Sequence, residues 1–252
     1  MGQRNMLGKG LEILQYLVEH SDRGCGVTEV ANAVGVPVST AHRLLATLVA
    51  SSWAARSEGS TKYRLGPQVL RAADALHTAM GLPDLHASLA SLAQRTGETA
   101  ILGTVIGGEF IYLDVVHGPG LLGIKGSPGQ RGPLHCTATG KALLCALPSV
   151  RREQLIDQLE LTEYTENTIT DHHDLRAELQ LSMSRGYALA REEYEEGVIS
   201  IAIPLALDQE GAYAACISAP AQRVTAERIP ALHQALVETQ RGMRASSEGA
   251  TR

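Results

Sequence analysis

The chain has 252 residues, which leaves room for one large domain or two smaller ones, and 44% of its residues are hydrophobic, as in a globular protein. No apolar run approaches the roughly 20 residues of a membrane span, and the N-terminus shows no signal-peptide core, so we expect a cytoplasmic protein without a membrane partner. The net charge of −5 divides into +2 over residues 1–75 and −7 over the remainder, a balance compatible with a DNA-binding segment on an acidic body.

Residues 6–19 are predicted to form an amphipathic helix, because apolar groups recur at positions 7, 11, 14 and 17 or 18. Residues 21–26, SDRGCG, are predicted to form a loop.

The stretch at residues 27–50 has the pattern of a helix-turn-helix. Thr28 is a candidate cap of the first helix, Gly35 supplies the turn, and Pro37 suits the start of the second helix. One face of that second helix is apolar: Val38, Ala41, Leu44, Leu45 and Leu48. The other face has short polar groups around one arginine: Ser39, Thr40, His42, Arg43 and Thr47. Such a face can enter a major groove, although an ordinary helical hairpin has the same pattern.

A basic hairpin is predicted directly after these helices, with strands near Trp53 and at residues 63–65 and a polar turn at residues 56–61. A hairpin in this position is a wing, and Arg56, Lys62 and Arg64 could contact phosphate or the minor groove. The alternative is a solvated hairpin without a partner.

Two Ala/Leu-rich helices, over residues 68–80 and about 84–95, are predicted to connect two domains. We expect a DNA-binding domain at residues 1–66, a linker helix at 67–82 and a second domain at 83–252.

The second domain is predicted to be an α+β layer with an antiparallel sheet. A hairpin turns at Gly107-Gly108, a short strand lies near residues 121–125, and a later hairpin turns at residues 208–211. Helices are predicted at residues 137–147, 151–159 and 171–185, and Thr225 is expected to cap a last helix that ends near residue 244.

Seven segments carry a family resemblance: GKGLEILQYL, VTEVANAVGVPVSTAHRLLATLV, YRLGP, GEFIYLDVV, GPLHCTATGKALL, RGYALAREEYEEGV and CISAPAQRVT. In this order they resemble the IclR family of bacterial transcriptional regulators over nearly the whole chain. The resemblance implies a winged helix-turn-helix that binds operator DNA and a C-terminal effector-binding domain of GAF-like fold. It also implies dimers, often paired into tetramers. We expect a dimer to bind a palindromic operator, because one winged domain buries little surface and two half-sites follow from two-fold symmetry. We expect a repressor whose effector is a small organic acid or an aromatic or sugar-derived metabolite.

The expected DNA contacts come from both helices and from the wing, with Arg43 on a base. They are Thr28, Ser39, Thr40, His42, Arg43, Thr47, Lys62 and Arg64.

The expected effector site combines a helix start with two strands. The N–H groups near Ala138, Thr139 and Gly140 favour an anion, and Cys216 and Ser218 point to the same side of their strand. Ser200 on a facing strand also alternates with apolar neighbours, and the resemblance adds the apolar positions Leu121, Ile124 and Val198. A glyoxylate-sensing member has aspartate where this chain has Ala190, and cysteine then serine where it has Ser200 and Cys216, so its ligand is not transferred. For Cys216 and Ser218 the alternative is core filling.

Other polar groups suggest no chemistry, and we expect no enzymatic activity, metal or cofactor. His172-His173 between Asp171 and Asp174 is typical of a helix start, and His135-Cys136 lacks a third catalytic group. The glutamates at 192, 193, 195 and 196 are predicted to form a solvated face that shapes a turn. The four cysteines form no C-x-x-C pair, which predicts reduced thiols.

Two other functions stay open on the sequence. One is an enzyme with an appended helix-turn-helix. The other is a protein-interaction module whose winged helix does not touch DNA.

Overall fold

The computed structural model describes residues 6–56, 59–79, 82–120, 124, 126–205 and 212–249. The chain divides into two compact units, Met1–Met80 and Gly81–Arg252.

The first unit is a winged helix-turn-helix. Its elements are α1 (Met6–Glu19), β1 (Cys25–Gly26), α2 (Val27–Val34), α3 (Val38–Ala50), β2 (Ala54–Ala55), β3 (Lys62–Leu65) and α4 (Gln68–Ala79). Gly35 ends α2 in the left-handed conformation, with φ 64°, and Pro37 precedes α3, as the sequence predicts. The core of this unit packs Ile13 and Leu17 of α1 against Val30 of α2 and Leu45 of α3.

Three expectations for this unit are wrong. The N-cap of α2 is Gly26, and Thr28 lies inside the helix. Cys25–Gly26 is a strand that pairs with β3, although it was expected to be a loop. The helix predicted at residues 6–19 is confirmed with the same bounds, but its buried residues are Ile13 and Leu17, whereas Leu7 and Leu11 are 69% and 58% exposed. Since α1 has apolar residues on more than one face, their spacing alone could not show which face packs inward.

The second unit is an α+β layer built on one antiparallel sheet. Its helices are α5 (Leu82–Thr96), α6 (Ala138–Ala146), α7 (Ser149–Gln158), α8 (His172–Arg185) and α9 (Ile229–Gly249). Its strands are β4 (Thr99–Ile106), β5 (Glu109–Val116), β6 (Arg131–Pro133), β7 (Ala188–Arg191), β8 (Val198–Leu205) and β9 (Tyr213–Pro220). The six strands follow the order β6-β5-β4-β9-β8-β7, and every pairing is antiparallel. The α+β prediction is confirmed, while the GAF-like comparison stays a prediction.

Helix α6 packs on the sheet and forms the core of this unit with it. Its Ala138, Ala142 and Leu143 belong to one cluster with Ala202 of β8 and Cys216 of β9. Neighbouring residues in a strand point to opposite faces, so the equally buried Ile203 and Ile217 face the other side. Helices α5 and α9 also pack against the sheet.

The hairpin at Gly107-Gly108 is confirmed, and both glycines have positive φ, as a two-residue turn requires. The expected strand at 121–125 lies outside the described residues except for Ile124, which is not in a strand. The turn at 208–211 also lies outside them. Strands β6 and β7 were not predicted, and α9 begins at Ile229 rather than after a cap at Thr225.

Among the described residues no single helix is long and apolar enough to cross a membrane. Within the described ranges one bent pair, α2 and α3 with 108° between them, is long and apolar enough when its two helices are taken together.

Candidate functional site

The outward face of α3 presents the predicted polar groups. Ser39, His42, Arg43 and Thr47 are exposed, and Thr40 is partly buried. The Thr47 hydroxyl donates to the backbone oxygen of Arg43 at 3.0 Å, so its hydrogen is already used within the helix. One correction applies to the inward face, because Val38 is 45% exposed. The face therefore offers one guanidinium and one imidazole among short hydroxyl groups, a set that suits base edges and phosphates.

The two basic residues of β3 lie beside the start of α2. Lys62 and Arg64 are exposed, and the Lys62 ammonium donates to the backbone oxygen of Arg23 at 3.3 Å. Strand β3 pairs with both β1 and β2, so the position of the wing is fixed relative to the helix-turn-helix. Thr28 is exposed at the beginning of α2.

Glu29 holds the first turn of α2 in place, a role that was not predicted from the sequence. Its carboxylate accepts from the Gly26 N–H at 3.3 Å and from the Tyr16 hydroxyl at 3.1 Å, and it pairs with Arg23. The Arg23 guanidinium is the main cause that lowers the pKa of Glu29 to about 2, and the Gly26 N–H contributes to the same effect. The Ncap-x-x-Glu spacing, with glycine at the cap, is the signal that could have identified it.

A cavity lies in the second unit where the start of α6 faces the sheet. The cavity volume is about 60 Å³, and the space free of atoms, including the part that is open to solvent, is about 540 Å³. The lining residues are Tyr112, Ile124, Gln130, Cys136, Thr137, Ala138, Thr139, Ala190, Glu193, Tyr194, Glu195, Val198, Ser200, Cys216 and Ser218.

The first turn of α6 supplies hydrogen-bond donors to this cavity. Thr137 is the N-cap: its hydroxyl oxygen accepts from the Gly140 N–H at 3.0 Å and its hydroxyl donates to the Pro133 oxygen at 2.8 Å. The N–H groups of Ala138 and Thr139 are in the first helical positions, which have no acceptor inside the helix. The cavity therefore has an anion-compatible end at the positive pole of the α6 dipole.

The strands supply neutral groups to the opposite wall. Ser200 of β8 is paired with Ser218 of β9, and their hydroxyls are 2.8 Å apart. Cys216 is buried, and Thr139 lowers the pKa of its thiol against the larger, opposite effect of burial.

Seven of the nine residues expected at the effector site line this one cavity: Ile124, Ala138, Thr139, Val198, Ser200, Cys216 and Ser218. Leu121 lies outside the described residues. Gly140 is buried but does not line the cavity. A Cβ at this position would lie 2.4 Å from the Cα of Leu134, so glycine is needed there for close packing.

The glutamate run shapes a turn, as predicted, in which the Glu192 carboxylate accepts from the Gly197 N–H at 2.8 Å, but Glu193 is buried and not solvated. The side chain of Lys141 is fully buried, and its ammonium donates to both carboxylate oxygens of Glu193 at 2.8 and 2.9 Å. Glu178 is 3.7 Å from the same ammonium. Burial raises the pKa of Glu193, and the charge of Lys141 opposes that shift. Lys141 lies within an apolar helix, and this mismatch was the available signal for a buried ion pair.

The thiols near the cavity are not poised for nucleophilic chemistry. Burial raises the pKa of Cys136 to about 12 and that of Cys216 to about 12. The neighbouring His135 points elsewhere, with its Nε2 bonded to the Thr162 oxygen at 3.0 Å. The exposed group Asp171, His173 and Asp174 is the start of α8, where the Asp171 carboxylate accepts from the N–H groups of His173 and Asp174.

Comparison with known proteins agrees with both units. Residues 6–58 match the IclR helix-turn-helix domain, and residues 83–244 match the bacterial transcriptional regulator IclR C-terminal domain. The probable transcriptional regulator SauR of Cupriavidus necator is 32% identical over 223 residues, covering 88% of each chain. The transcriptional repressor IclR of Escherichia coli is 28% identical over 232 residues, covering 90% of this chain and 84% of that protein. The crystal structure of the Thermotoga maritima IclR has a TM-score of 0.80 at 28% identity and covers 97% of this chain and 99% of that one.

A winged helix-turn-helix with an exposed polar recognition face, followed by a separate α+β unit, defines a DNA-binding transcriptional regulator. The chain belongs to the IclR family of bacterial transcriptional regulators, as its matches over both units show.

Proposed function

We propose that the protein is a repressor that binds a palindromic operator as a dimer, or as a pair of dimers, and responds to a small-molecule effector. In this proposal residues 1–66 bind DNA, the helix within residues 67–82 links the domains, and residues 83–252 bind the effector. The protein acts in the cytoplasm. The observation that carries the proposal is the exposed polar face of α3 beside a basic wing.

The proposed DNA contacts use the exposed groups of α3 and β3. Arg43 contacts a base edge, and Ser39, Thr40, His42 and Thr47 contact phosphates or neighbouring bases. Lys62 and Arg64 contact the backbone from the wing, and Thr28 does so from α2. A dimer doubles the contacted surface and matches the two half-sites of a palindrome.

The proposed effector site is the cavity at the start of α6. A carboxylate or other oxygen-rich group of the ligand would accept from the Ala138 and Thr139 N–H groups, while Ser200, Cys216 and Ser218 lie on the opposite wall. Ile124 and Val198, with Leu121 in the proposal, cover its apolar part. The absence of a poised nucleophile at Cys136 and Cys216 supports binding without turnover.

The experiment is a pair of titrations on the full chain. Fluorescence anisotropy with DNA from the protein's own upstream region should show binding whose log affinity falls linearly with log salt concentration. Metabolites that raise the melting temperature in a thermal-shift screen are then added to the complex, and the true effector should change the operator affinity.

The negative outcomes separate the alternatives. Absence of salt-dependent binding to that DNA would favour an interaction module. Consumption of a hit compound, abolished by one substitution in the cavity, would favour an enzyme.

A further inference from the structure

The segment between β7 and β8 places negative charge on the cavity wall. Among the described residues that line the cavity, Glu193 and Glu195 are the only charged ones. The charge of Glu193 is compensated by Lys141, which holds both of its carboxylate oxygens. Glu195 is exposed at the surface as well as lining the cavity. Glu195 is therefore the more accessible of the two charges on the cavity wall.

The Glu195 carboxylate acts electrostatically on Tyr112, another residue of the cavity wall. Tyr112 of β5 also lines the cavity, stacked on Phe110 with ring centroids 4.7 Å apart. Burial is the main cause that raises the pKa of the Tyr112 phenol, and the Glu195 carboxylate adds to that shift. The phenol is thus a neutral donor, and it shares the cavity with an acidic wall.

The start of α6 and the Glu195 carboxylate, which both lie on the cavity wall, favour different groups on one ligand. The N–H groups at the start of α6 accommodate one acidic group. A second acidic group would meet Glu195 with like charge, whereas a hydroxyl or ammonium group could donate to it.

We propose that Glu195 is a specificity-determining residue of the effector cavity. It selects ligands that combine one acidic group with a separate hydrogen-bond donor, and it disfavours diacids. This inference rests on the proposed function, in which the cavity takes a small effector.

The test uses four acids of equal chain length that differ only in the terminal group: butyrate, 4-hydroxybutyrate, 4-aminobutyrate and succinate. Their affinities for the full chain are measured by isothermal titration calorimetry at neutral pH. The hydroxy acid and the amino acid should bind at least about tenfold more tightly than succinate, because like charges repel in a partly desolvated cavity. Glu195→Gln should remove most of that difference by improving succinate binding.

Glu196→Gln is the matched control. Glu196 is exposed in the same segment and does not line the cavity, so this variant changes the net charge equally and should keep the wild-type order of affinities. Equal affinity of wild type for succinate and 4-hydroxybutyrate would overturn the inference, and so would equal effects of the two glutamine variants. If none of the four acids binds, the specificity proposed for Glu195 is refuted. The effector cavity is judged separately, by whether a hit of the thermal-shift screen changes the operator affinity.

Discussion

The ion pair between Lys141 and Glu193 connects the wall of the cavity to the core of the second unit. Lys141 extends from α6, and Glu193 lies on the segment after β7, which is 52 positions further along the chain. Thr168 reinforces this connection by donating its hydroxyl to the Glu193 backbone oxygen at 2.6 Å. The pair therefore holds the segment that carries Tyr194 and Glu195 against the helix that begins at the cavity.

Glu193→Ala should lower the free energy of unfolding of the second unit by about 3 kcal/mol, because it leaves the buried ammonium of Lys141 without its main partner. Urea denaturation of the full chain followed by circular dichroism measures the loss. Glu196→Ala, at an exposed position, should change stability by less than about 0.5 kcal/mol. The double variant Lys141→Met with Glu193→Leu should recover much of the loss, since no charge then stays buried. A Glu193→Ala protein as stable as the Glu196→Ala protein would contradict this role.

Arg43→Ala should weaken specific operator binding by about 1–3 kcal/mol, the usual cost of losing a bidentate arginine–base contact. Anisotropy titration against the native upstream DNA and against scrambled DNA measures the specific part. Arg71→Ala is the control, because Arg71 is an exposed arginine of α4 outside the recognition face. If Arg43→Ala binds the operator as tightly as wild type and Arg71→Ala do, Arg43 of α3 does not contact a base.

The low pKa of Glu29 predicts how the first unit responds to acid. Its pKa falls from 4.5 to about 2 on folding, so its stabilising effect is complete above 4.5 and is lost as pH falls towards 2. The only tryptophan, Trp53, lies in this unit, so its fluorescence reports on the unit separately. Thermal melts should show that Glu29→Gln flattens the acid dependence in this window, whereas Glu19→Gln, at an exposed site on α1, keeps it. Parallel pH profiles for wild type and Glu29→Gln would show that the Arg23–Glu29 pair does not contribute.

At the scale of elements, α6 depends on a glycine for its position. Gly140 is in the first turn, and a Cβ there would lie 2.4 to 2.7 Å from the backbone of Leu134. Gly140→Ala should therefore destabilise the second unit by about 2 kcal/mol or more, through overpacking against a segment that cannot yield easily. Gly242→Ala in α9 meets no atom within 4 Å and should be neutral or stabilising by up to about 1 kcal/mol. Denaturant melts compare the two, and similar stabilities would exclude close packing at Gly140.

The elements that could be predicted were those with a local signal. The turn at Gly35 and the hairpin at Gly107-Gly108 were visible because glycine at positive φ marks both. Strand β1 was not, since a two-residue strand has no period and exists only because Cys25 pairs with Tyr63 far along the chain. Glu193 was misassigned for the same reason: a charge run is ordinarily solvated, and only the tertiary fold brings Lys141 to it.

The cavity was partly predictable. A helix start after a glycine-rich loop pointed to Ala138 and Thr139, and strand alternation pointed to Cys216 and Ser218. Tyr112 and Glu195 were not predicted to line the cavity. Their positions on the cavity wall depend on how β5 and the β7–β8 segment fold against α6, which no local sequence pattern encodes.

At the scale of the whole molecule, the exposed apolar face of α1 bears on assembly. Met6, Leu7, Leu11 and Leu14 form one surface with Leu44, Leu48 and Trp53. In the proposed dimer, reading a palindrome needs two recognition helices held side by side, and an apolar surface that includes residues of α3 is suited to pair the DNA-binding units.

Leu11→Glu should therefore weaken dimer-dependent binding to a palindromic operator while leaving binding to an isolated half-site unchanged. Leu11 is 58% exposed, so the substitution should not disturb folding, but a buried charge in the interface would oppose association. Val18→Glu is the control: Val18 is 54% exposed on the same helix and lies outside the apolar surface. Anisotropy with full and half operators, together with light scattering, measures both effects. Equal loss in the two variants, or full palindrome binding by Leu11→Glu, would place the contact between protomers elsewhere.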